Sequence, residues 1–177
     1  FLGNTDPKKN AARVLKAYRL YLEQSSVKRP LLIADLTESR IDSLLQQEGI
    51  GNALKQHLYY PGYIRNADLA TLYNAAFAFL YPSLRESFGI PQLEAMACGT
   101  PVVTSATSAI PEVAGEGAIL VDPTDPKAIA DALLRLETDA AFRARQVAYG
   151  LERVKRFSWE KTARHLLALY ESLGKTN

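Results

Sequence analysis

Short apolar runs alternate with longer amphipathic stretches along most of this chain, and this alternation predicts strands separated by helices. Glycine, proline, aspartate and serine stand at the ends of most runs, as is typical of strand boundaries. The predicted strands are the runs at 1–3, 31–35, 57–64, 76–82, 101–105 and 117–123.

Capping residues mark where the predicted helices begin and end. Asp6 and Pro7 fit the N-cap and first position of a helix that continues to about Gln24, and Gly49 ends a second helix that begins near Thr37. Apolar residues recur inside these stretches at the three- and four-residue spacing of helices. The remaining predicted helices cover 68–74, 91–98, 109–115, 125–137, 139–154 and 158–173.

Strands that are short, apolar and separated by helices are typical of a parallel sheet covered on both faces. We therefore predict one α/β domain over residues 1–177, a Rossmann-like doubly wound parallel sheet of about six strands. Such sheets bind ligands beyond the carboxyl ends of their strands. The loops after the first, third and fourth predicted strands are therefore the places to search for a site.

The composition argues against some classes of function but does not identify one. The chain has 177 residues with 47% hydrophobic and 23% charged positions, which is ordinary for one globular domain. A net charge of +2 does not favour a nucleic-acid partner. No apolar run approaches the roughly 18 residues of a membrane helix, and the first residues lack a signal-peptide pattern. We expect a cytoplasmic domain of a longer protein, with at most peripheral contact at the inner membrane face.

Several features have plain structural interpretations. Cys98 is the only cysteine and lies in an apolar run, which favours packing over a nucleophilic role. His57 and His165 are far apart, and no Cys/His cluster has zinc spacing. The sequence GIGNAL at 49–54 follows a helix and not a strand, so it is a poor dinucleotide fingerprint. The basic stretch 142–157 predicts a solvated helix face, with weak contact to an anionic membrane as the alternative.

The stretch PSLRESFGIPQLEAMACGTPVV carries two carboxylates around a predicted helix start. Pro91 fits the first helical position, and the free N–H groups there suit an anion such as a phosphate. Glu94 leans back towards the loop that holds Glu86, and carboxylates suit the vicinal hydroxyls of a sugar or ribose. The alternative is an ordinary helix whose first turn carries a dipole-stabilising glutamate, and the spacing alone leans towards it.

The loop after the first predicted strand, NTDPKKN, places Lys8 and Lys9 at the entrance of a helix. Cations at a helix N-terminus oppose the macrodipole, so a bound anion would compensate for them. A pair of solvated lysines is the alternative. Two anion-suited loops at one edge of a sheet favour a shared site.

The chain resembles the C-terminal, donor-binding domain of a known family, the retaining GT-B glycosyltransferases of family 4. The resemblance covers nearly the whole chain, in family order. Glu86 and Glu94 match the family's motif of two glutamates separated by seven residues. The motifs are GNTDPKKN, PGYIRNADLATLYNAA, PSLRESFGIPQLEAMACGTPVVTS, IPEVAGEGAILVDPTD and FSWEKTA.

The resemblance implies a role for each site residue. Glu86 would bind hydroxyls of the transferred sugar, Glu94 would hold the ribose, and Lys9 would neutralise the leaving diphosphate. Glu86 and Lys9 are thus the expected catalytic residues, although retention is usually attributed to same-face attack and not to a glutamate nucleophile. Many relatives carry an arginine near the place of Asn4. The remaining expected donor-binding positions are Gly3, Asn4, Tyr63, Ile64, Ser87, Phe88, Gly89 and Ile90.

The resemblance also implies partners and chemistry. The donor would be a GDP- or UDP-sugar, with GDP-mannose as our choice, and neither a metal nor another cofactor is expected. A saccharide or lipid-linked acceptor would bind an N-terminal domain that this chain lacks, so the isolated chain is expected to be inactive in transfer. A polysaccharide-synthesis role fits this pattern. A nucleotide-sugar epimerase and a non-catalytic nucleotide-sugar-binding module remain as alternatives, whereas a nicotinamide dehydrogenase lacks its glycine fingerprint here.

Overall fold

The structure, a computed structural model, describes residues 1–174 and has the predicted α/β architecture. The five strands assigned within these residues all pair in parallel. Two of them form one sheet, and three form a second sheet in chain order. The strands are β1 (Leu31–Ala34), β2 (Leu58–Gly62), β3 (Phe79–Tyr81), β4 (Val102–Ser105) and β5 (Ile119–Val121).

The predicted first strand is reduced to a single parallel bridge. Leu2 pairs with Ala34 at the end of β1, and the Ala34 N–H donates to the Phe1 carbonyl at 3.1 Å. The Phe1 amino group also donates to the Leu32 carbonyl at 2.9 Å. The prediction of about six strands is thus replaced by five strands and one bridge in the described residues.

Helices cover the sheets on both faces, as predicted. The helices are α1 (Ala11–Gln24), α2 (Glu38–Gln47), α3 (Asn66–Ala75), α4 (Ile90–Ala97), α5 (Ile110–Ala114), α6 (Pro126–Thr138), α7 (Ala140–Val154) and α8 (Trp159–Gly174). Short 3₁₀ segments lie before α1, between α2 and β2, and between α5 and β5. They cover Pro7–Lys9, Asn52–His57 and Gly115–Gly117.

The first predicted helix is interrupted near its start. Asp6 does act as an N-cap, because its side chain accepts the Lys8 N–H at 3.0 Å, but the turn that it caps is the 3₁₀ segment Pro7–Lys9. Asn10 then takes a left-handed backbone conformation, with φ +67°, and α1 begins after it. The predicted single helix from Asp6 was therefore wrong at its N-terminus, because asparagine is one of the few residues that tolerate this conformation.

Two apolar clusters form the core on either side of the sheets. The larger joins α1, α2, α6 and the first two strands, and the smaller joins β3 with α4 and α5. Helix α8 contributes no buried residue, and Trp159 at its start is 80% exposed. Among residues 1–174, no helix has both the length and the hydropathy needed to cross a membrane.

The buried carboxylate of Glu137 links the end of α6 by hydrogen bonds to the end of α1 and the loop that follows it. The Glu137 side chain is only 5% exposed and accepts hydrogen bonds from the Tyr21 hydroxyl, the Ser25 hydroxyl at 2.9 Å and the Arg29 guanidinium at 3.1 Å. Burial alone would raise the pKa of Glu137. The hydrogen bonds from Tyr21 and Ser25 and the charge of Arg29 outweigh burial, so the pKa lies below its ordinary value.

Candidate functional site

Three loops meet at the carboxyl edge of β3, β4 and β5. The Leu84 N–H, in the loop after β3, donates to the Lys8 carbonyl at 2.7 Å. The buried Asn10 amide donates to the Pro82 carbonyl at 2.8 Å and to the Pro123 carbonyl at 2.7 Å. The start of α1 and the loops after β3 and β5 are therefore fixed relative to one another by hydrogen bonds.

Lys9 and Glu86 form an ion pair where these loops meet. The Lys9 Nζ lies 2.7 Å from Glu86 Oε1, and the two side chains are 19% and 13% exposed. Lys9 Nζ also donates to the Tyr81 hydroxyl at 3.3 Å. The structure thus brings together two residues that stand 77 positions apart and that the sequence placed in one site.

Neither lysine requires an external anion, contrary to the prediction, because each already lies beside a carboxylate. Lys9 is neutralised by Glu86, and Lys8 lies 3.1 Å from the Asp6 carboxylate. A carboxylate from a neighbouring loop and one from the same turn supply the compensating charges. An incoming anion at Lys9 would therefore share this cation with Glu86.

The charge states around the pair follow from its surroundings. Partial burial raises the pKa of the Glu86 carboxyl, but hydrogen bonds from Lys9 and Tyr81 outweigh it, and the pKa falls below its ordinary value. Burial, followed by the charge of Glu86 and a smaller contribution from Glu94, raises the pKa of the Tyr81 phenol. At neutral pH Glu86 is ionised, and Tyr81 keeps its proton as a hydrogen-bond donor.

The start of α4 lies next to this pair in sequence and carries no side-chain cap. Gly89 has φ +87°, and a Cβ there would lie 2.9 Å from the Gln92 amide nitrogen, so glycine is required. The helix begins at Ile90, which puts Pro91 at the second helical position and not the first. Pro91 has no N–H, and the Gln92 N–H donates to the Gly89 carbonyl at 3.2 Å. The N–H groups that can meet a ligand here are therefore those of Ile90 and of the loop before it.

Glu94 is not a dipole-stabilising residue of the first turn, where α4 carries no acidic side chain. Its exposed side chain accepts the Tyr73 hydroxyl at 3.3 Å. This arrangement weakens the interpretation of the motif as an ordinary capped helix.

The other predicted residues lie at 3–4, 63–64 and 87–90. Ser87, Phe88 and Ile90 are exposed along the loop that leads into α4. Asn4 is exposed and accepts the Asp6 N–H at 2.9 Å, while its neighbour Gly3 is buried. Tyr63, which is 75% exposed, and the half-buried Ile64 follow β2, in the other sheet, and no described contact joins them to Glu86.

Sequence reasoning missed Tyr81, Asn10 and Ser108. Tyr81 looked like one more apolar strand residue, and nothing in the sequence indicated that its hydroxyl meets Lys9. Asn10 and Ser108 both have positive φ, at +67° and +53°. An asparagine after two lysines is a weak signal for a left-handed turn, whereas Ser108 gave no signal.

Within residues 1–174, no three His, Cys, Asp or Glu side chains lie close enough together to hold a metal ion. Cys98 is half-buried and carries a free thiol, since the chain has no second cysteine to pair with it. The predicted absence of a metal from the donor site stays a prediction, as does the role of each residue named above.

Comparison with known proteins identifies the protein family to which the chain belongs. The fold matches GT-B glycosyltransferase structures, and the family Glycosyl transferases group 1 matches residues 1–153. The chain belongs to this family. Its resemblance to the group, first seen in the two-glutamate motif, is thereby confirmed.

Particular relatives include mannosyltransferases. O-antigen chain mannosyltransferase B of Escherichia coli is 36% identical over 173 residues, which cover 98% of this chain and 45% of that protein. Sucrose-phosphate synthase of Thermosynechococcus elongatus has a TM-score of 0.82 and 30% identity, covering 99% of this chain and 45% of the other. Anabaena Alr3699/HepE, solved in complex with UDP, has a TM-score of 0.79 at 19% identity, over 97% and 48%. The chain spans less than half the length of each protein.

Proposed function

We propose that this chain binds the nucleotide-sugar donor of a retaining glycosyltransferase. The observation that carries the proposal is the Lys9–Glu86 ion pair, 2.7 Å long, in the loops beside the uncapped start of α4. A cation and the N–H groups of Ile90 and of the loop before it suit a diphosphate, and a carboxylate beside them suits the hydroxyls of an attached sugar.

Each part of the donor has a proposed partner. Lys9 and the backbone of Ser87–Ile90 receive the diphosphate, while Gly3 and Asn4 border it. Glu86 receives the sugar hydroxyls, and Glu94 receives the ribose hydroxyls. The backbone at Tyr63 and Ile64 contacts the base. Tyr81 donates to Glu86 and holds its carboxylate beside Lys9, a role that is additional to the family's pattern.

The proposed chemistry is the departure of a nucleoside diphosphate from the sugar. Negative charge grows on the diphosphate as the glycosidic bond breaks, and Lys9 with the N–H groups of Ser87–Ile90 stabilises it there. Glu86 orients the sugar and favours the positive charge that develops on its ring. Transfer to the same face of the sugar then retains the anomeric configuration. No step in this scheme uses a metal or another cofactor.

We infer a hexose donor, with GDP-mannose as the first choice. The 36% identity to an E. coli mannosyltransferase supports mannose. A UDP-sugar is the alternative donor, because one structure of similar fold was solved with UDP. The acceptor would be a saccharide or a lipid-linked saccharide, held by the part of the protein that this chain does not contain. Polysaccharide synthesis at the cytoplasmic side of a membrane fits such an acceptor.

Isothermal calorimetry on this chain with GDP-mannose, UDP-glucose, GDP and UDP tests the proposal. We expect one base to be preferred, and Lys9→Met to weaken binding of the preferred ligand at least tenfold. Lys28→Met, a change at a lysine outside the site, is the matched control. Absence of binding for all four ligands, or equal binding by Lys9→Met, contradicts a donor site at this pair.

A second assay separates transfer from the alternatives. The longer protein should pass labelled sugar from the preferred donor to an acceptor, while this chain alone should not. Formation of an isomeric nucleotide-sugar would identify an epimerase instead. Binding without any turnover of the donor by the longer protein would identify a non-catalytic module.

A further inference from the structure

A row of side-chain hydroxyls at the end of β4 holds the loop that carries Glu86. Four hydroxyls of residues 104–108 donate to four backbone carbonyls of residues 81–86. The pairs are Thr104 to Tyr81 at 2.9 Å, Ser105 to Ser83, Thr107 to Leu84 at 3.4 Å and Ser108 to Glu86 at 3.0 Å.

Ser108, at the end of the row, differs from the other three residues. Its Oγ donates to the Glu86 carbonyl and also accepts the Glu86 N–H, both at 3.0 Å. One hydroxyl therefore fixes the backbone on both sides of the Glu86 Cα atom. The side chain beyond that Cα is held by Lys9 at 2.7 Å.

Ser108 makes these bonds from an unfavourable backbone conformation. Its φ of +53° is uncommon for residues other than glycine, asparagine and aspartate. Its side chain is exposed, and hydrogen bonds in contact with water contribute little net stability. The conformational cost offsets that small gain, so overall stability does not account for Ser108. Strained residues of this kind cluster at ligand sites.

We propose that Ser108 is a positioning residue that fixes the Glu86 peptide so that the Glu86 carboxylate faces Lys9 and the donor sugar. The part that concerns the sugar rests on the proposed function. Without the hydroxyl, the Glu86 backbone loses both of its bonds to the loop after β4, and the carboxylate samples more orientations. The donor sugar then loses a preorganised partner, whereas the diphosphate keeps Lys9 and the start of α4.

The first test measures binding by Ser108→Ala and Ser108→Gly. We expect affinity for the nucleotide-sugar to fall about 3- to 10-fold in both variants, and affinity for the nucleoside diphosphate not to fall. The glycine variant relieves the left-handed backbone, so equal losses assign the effect to the hydroxyl. Ser43→Ala, which removes a 2.9 Å hydroxyl bond within α2, is the control and should change neither affinity.

A double-mutant cycle asks whether Ser108 acts through Glu86. In a Glu86→Gln background, Ser108→Ala should cost less than in the parent, because the carboxylate to be positioned is already gone. The thermal midpoint of the single variant should stay close to that of the parent. Equal costs in both backgrounds, or a parallel loss of nucleotide-sugar and nucleoside diphosphate affinity, would overturn the proposal.

The second test needs no ligand. The Glu86 carboxyl, identified in a ¹³C NMR titration by its absence in Glu86→Gln, should titrate at higher pH in Ser108→Ala than in the parent, because its bond to Lys9 loosens. Ser43→Ala should leave that titration unchanged. If the Ser108→Ala titration matches the parent, Ser108 does not position Glu86. A parent chain that binds no nucleotide-sugar refutes the proposed function, and this titration still decides the role of Ser108.

Discussion

Replacing Glu86 by glutamine is expected to tighten binding of a nucleoside diphosphate that carries no sugar. In the free chain Glu86 occupies Lys9, the proposed diphosphate partner, at 2.7 Å. An incoming phosphate must share Lys9 with a carboxylate of the same sign. Glu86→Gln keeps the size of the side chain and removes its charge, so the phosphate gains the cation without the repulsion.

The size of the effect follows from the geometry at Lys9. Two acceptors on one tetrahedral ammonium, each about 2.7–2.8 Å from the nitrogen, lie about 4.5 Å apart. Two unit charges at about 4.5 Å repel by about 1 kcal/mol in water and about 4 kcal/mol at an effective dielectric constant of 20. The ligand side of the site is open to solvent, so we expect about 1–2 kcal/mol, or roughly 5- to 30-fold tighter binding.

Calorimetry with the preferred nucleoside diphosphate measures this change on the chain itself. The gain should shrink as ionic strength rises from about 0.05 M to 0.5 M, because salt screens the repulsion that the substitution removes. The nucleotide-sugar should show no such gain, since Glu86→Gln also removes a partner of the sugar. Arg85→Gln, which changes the charge of the adjacent loop residue, serves as a control for general effects on the loop.

Two results would refute the reasoning. Unchanged or weaker binding of the nucleoside diphosphate by Glu86→Gln would mean that Lys9 is not its partner, or that Glu86 does not compete for it. A gain that persists unchanged at high salt would mean that charge repulsion is not its cause.

The remaining predictions concern the second glutamate, metals and acid stability. Glu94→Gln should weaken nucleoside diphosphate binding about 10- to 100-fold by removing charge-assisted hydrogen bonds to the ribose. Unchanged affinity in calorimetry would mean that Glu94 does not bind the ribose and has only a structural role. Donor binding should be the same before and after EDTA treatment, because Lys9 and the N–H groups of Ser87–Ile90 supply the positive charge, and a marked loss would show that the carboxylates hold a cation. Glu137→Gln should lower the free energy of unfolding by about 2 kcal/mol at pH 7. Because its folded-state pKa is depressed, that stabilisation is complete above the ordinary value of 4.5 and is lost as pH falls below it, so urea unfolding at pH 7 and pH 3.5 should show the parent and the variant converging.

The parallel strands and the meeting of the loops could be predicted because they depend on general rules for parallel sheets. Apolar runs located β1 to β5, and the shared edge of their carboxyl ends placed Lys9 with Glu86. The direct ion pair could not be predicted, because it depends on side-chain directions set by the turn at Asn10. That turn depends on two hydrogen bonds from the Asn10 amide to loops 72 and 113 residues away.

The same limit applies to the residues behind the glutamate motif. Tyr81 is an ordinary strand residue in sequence, and only its contacts with Lys9 and Glu86, in loops at the edge of the sheet, give its hydroxyl a role. Ser108 combines a positive φ with two hydrogen bonds to the backbone of Glu86, 22 residues away. Contacts between segments that are distant in sequence determine such details, and the local pattern of a single sequence does not reveal those contacts.

The position of the only tryptophan decides what optical spectroscopy can report about this chain. Trp159 is 80% exposed in the native fold, so its emission maximum should lie near that of the unfolded chain and should barely shift during denaturation. Unfolding is better followed by far-ultraviolet circular dichroism, to which the helices contribute strongly. The same tryptophan is well placed for another measurement, since a blue shift of its emission would report any surface that comes to cover α8.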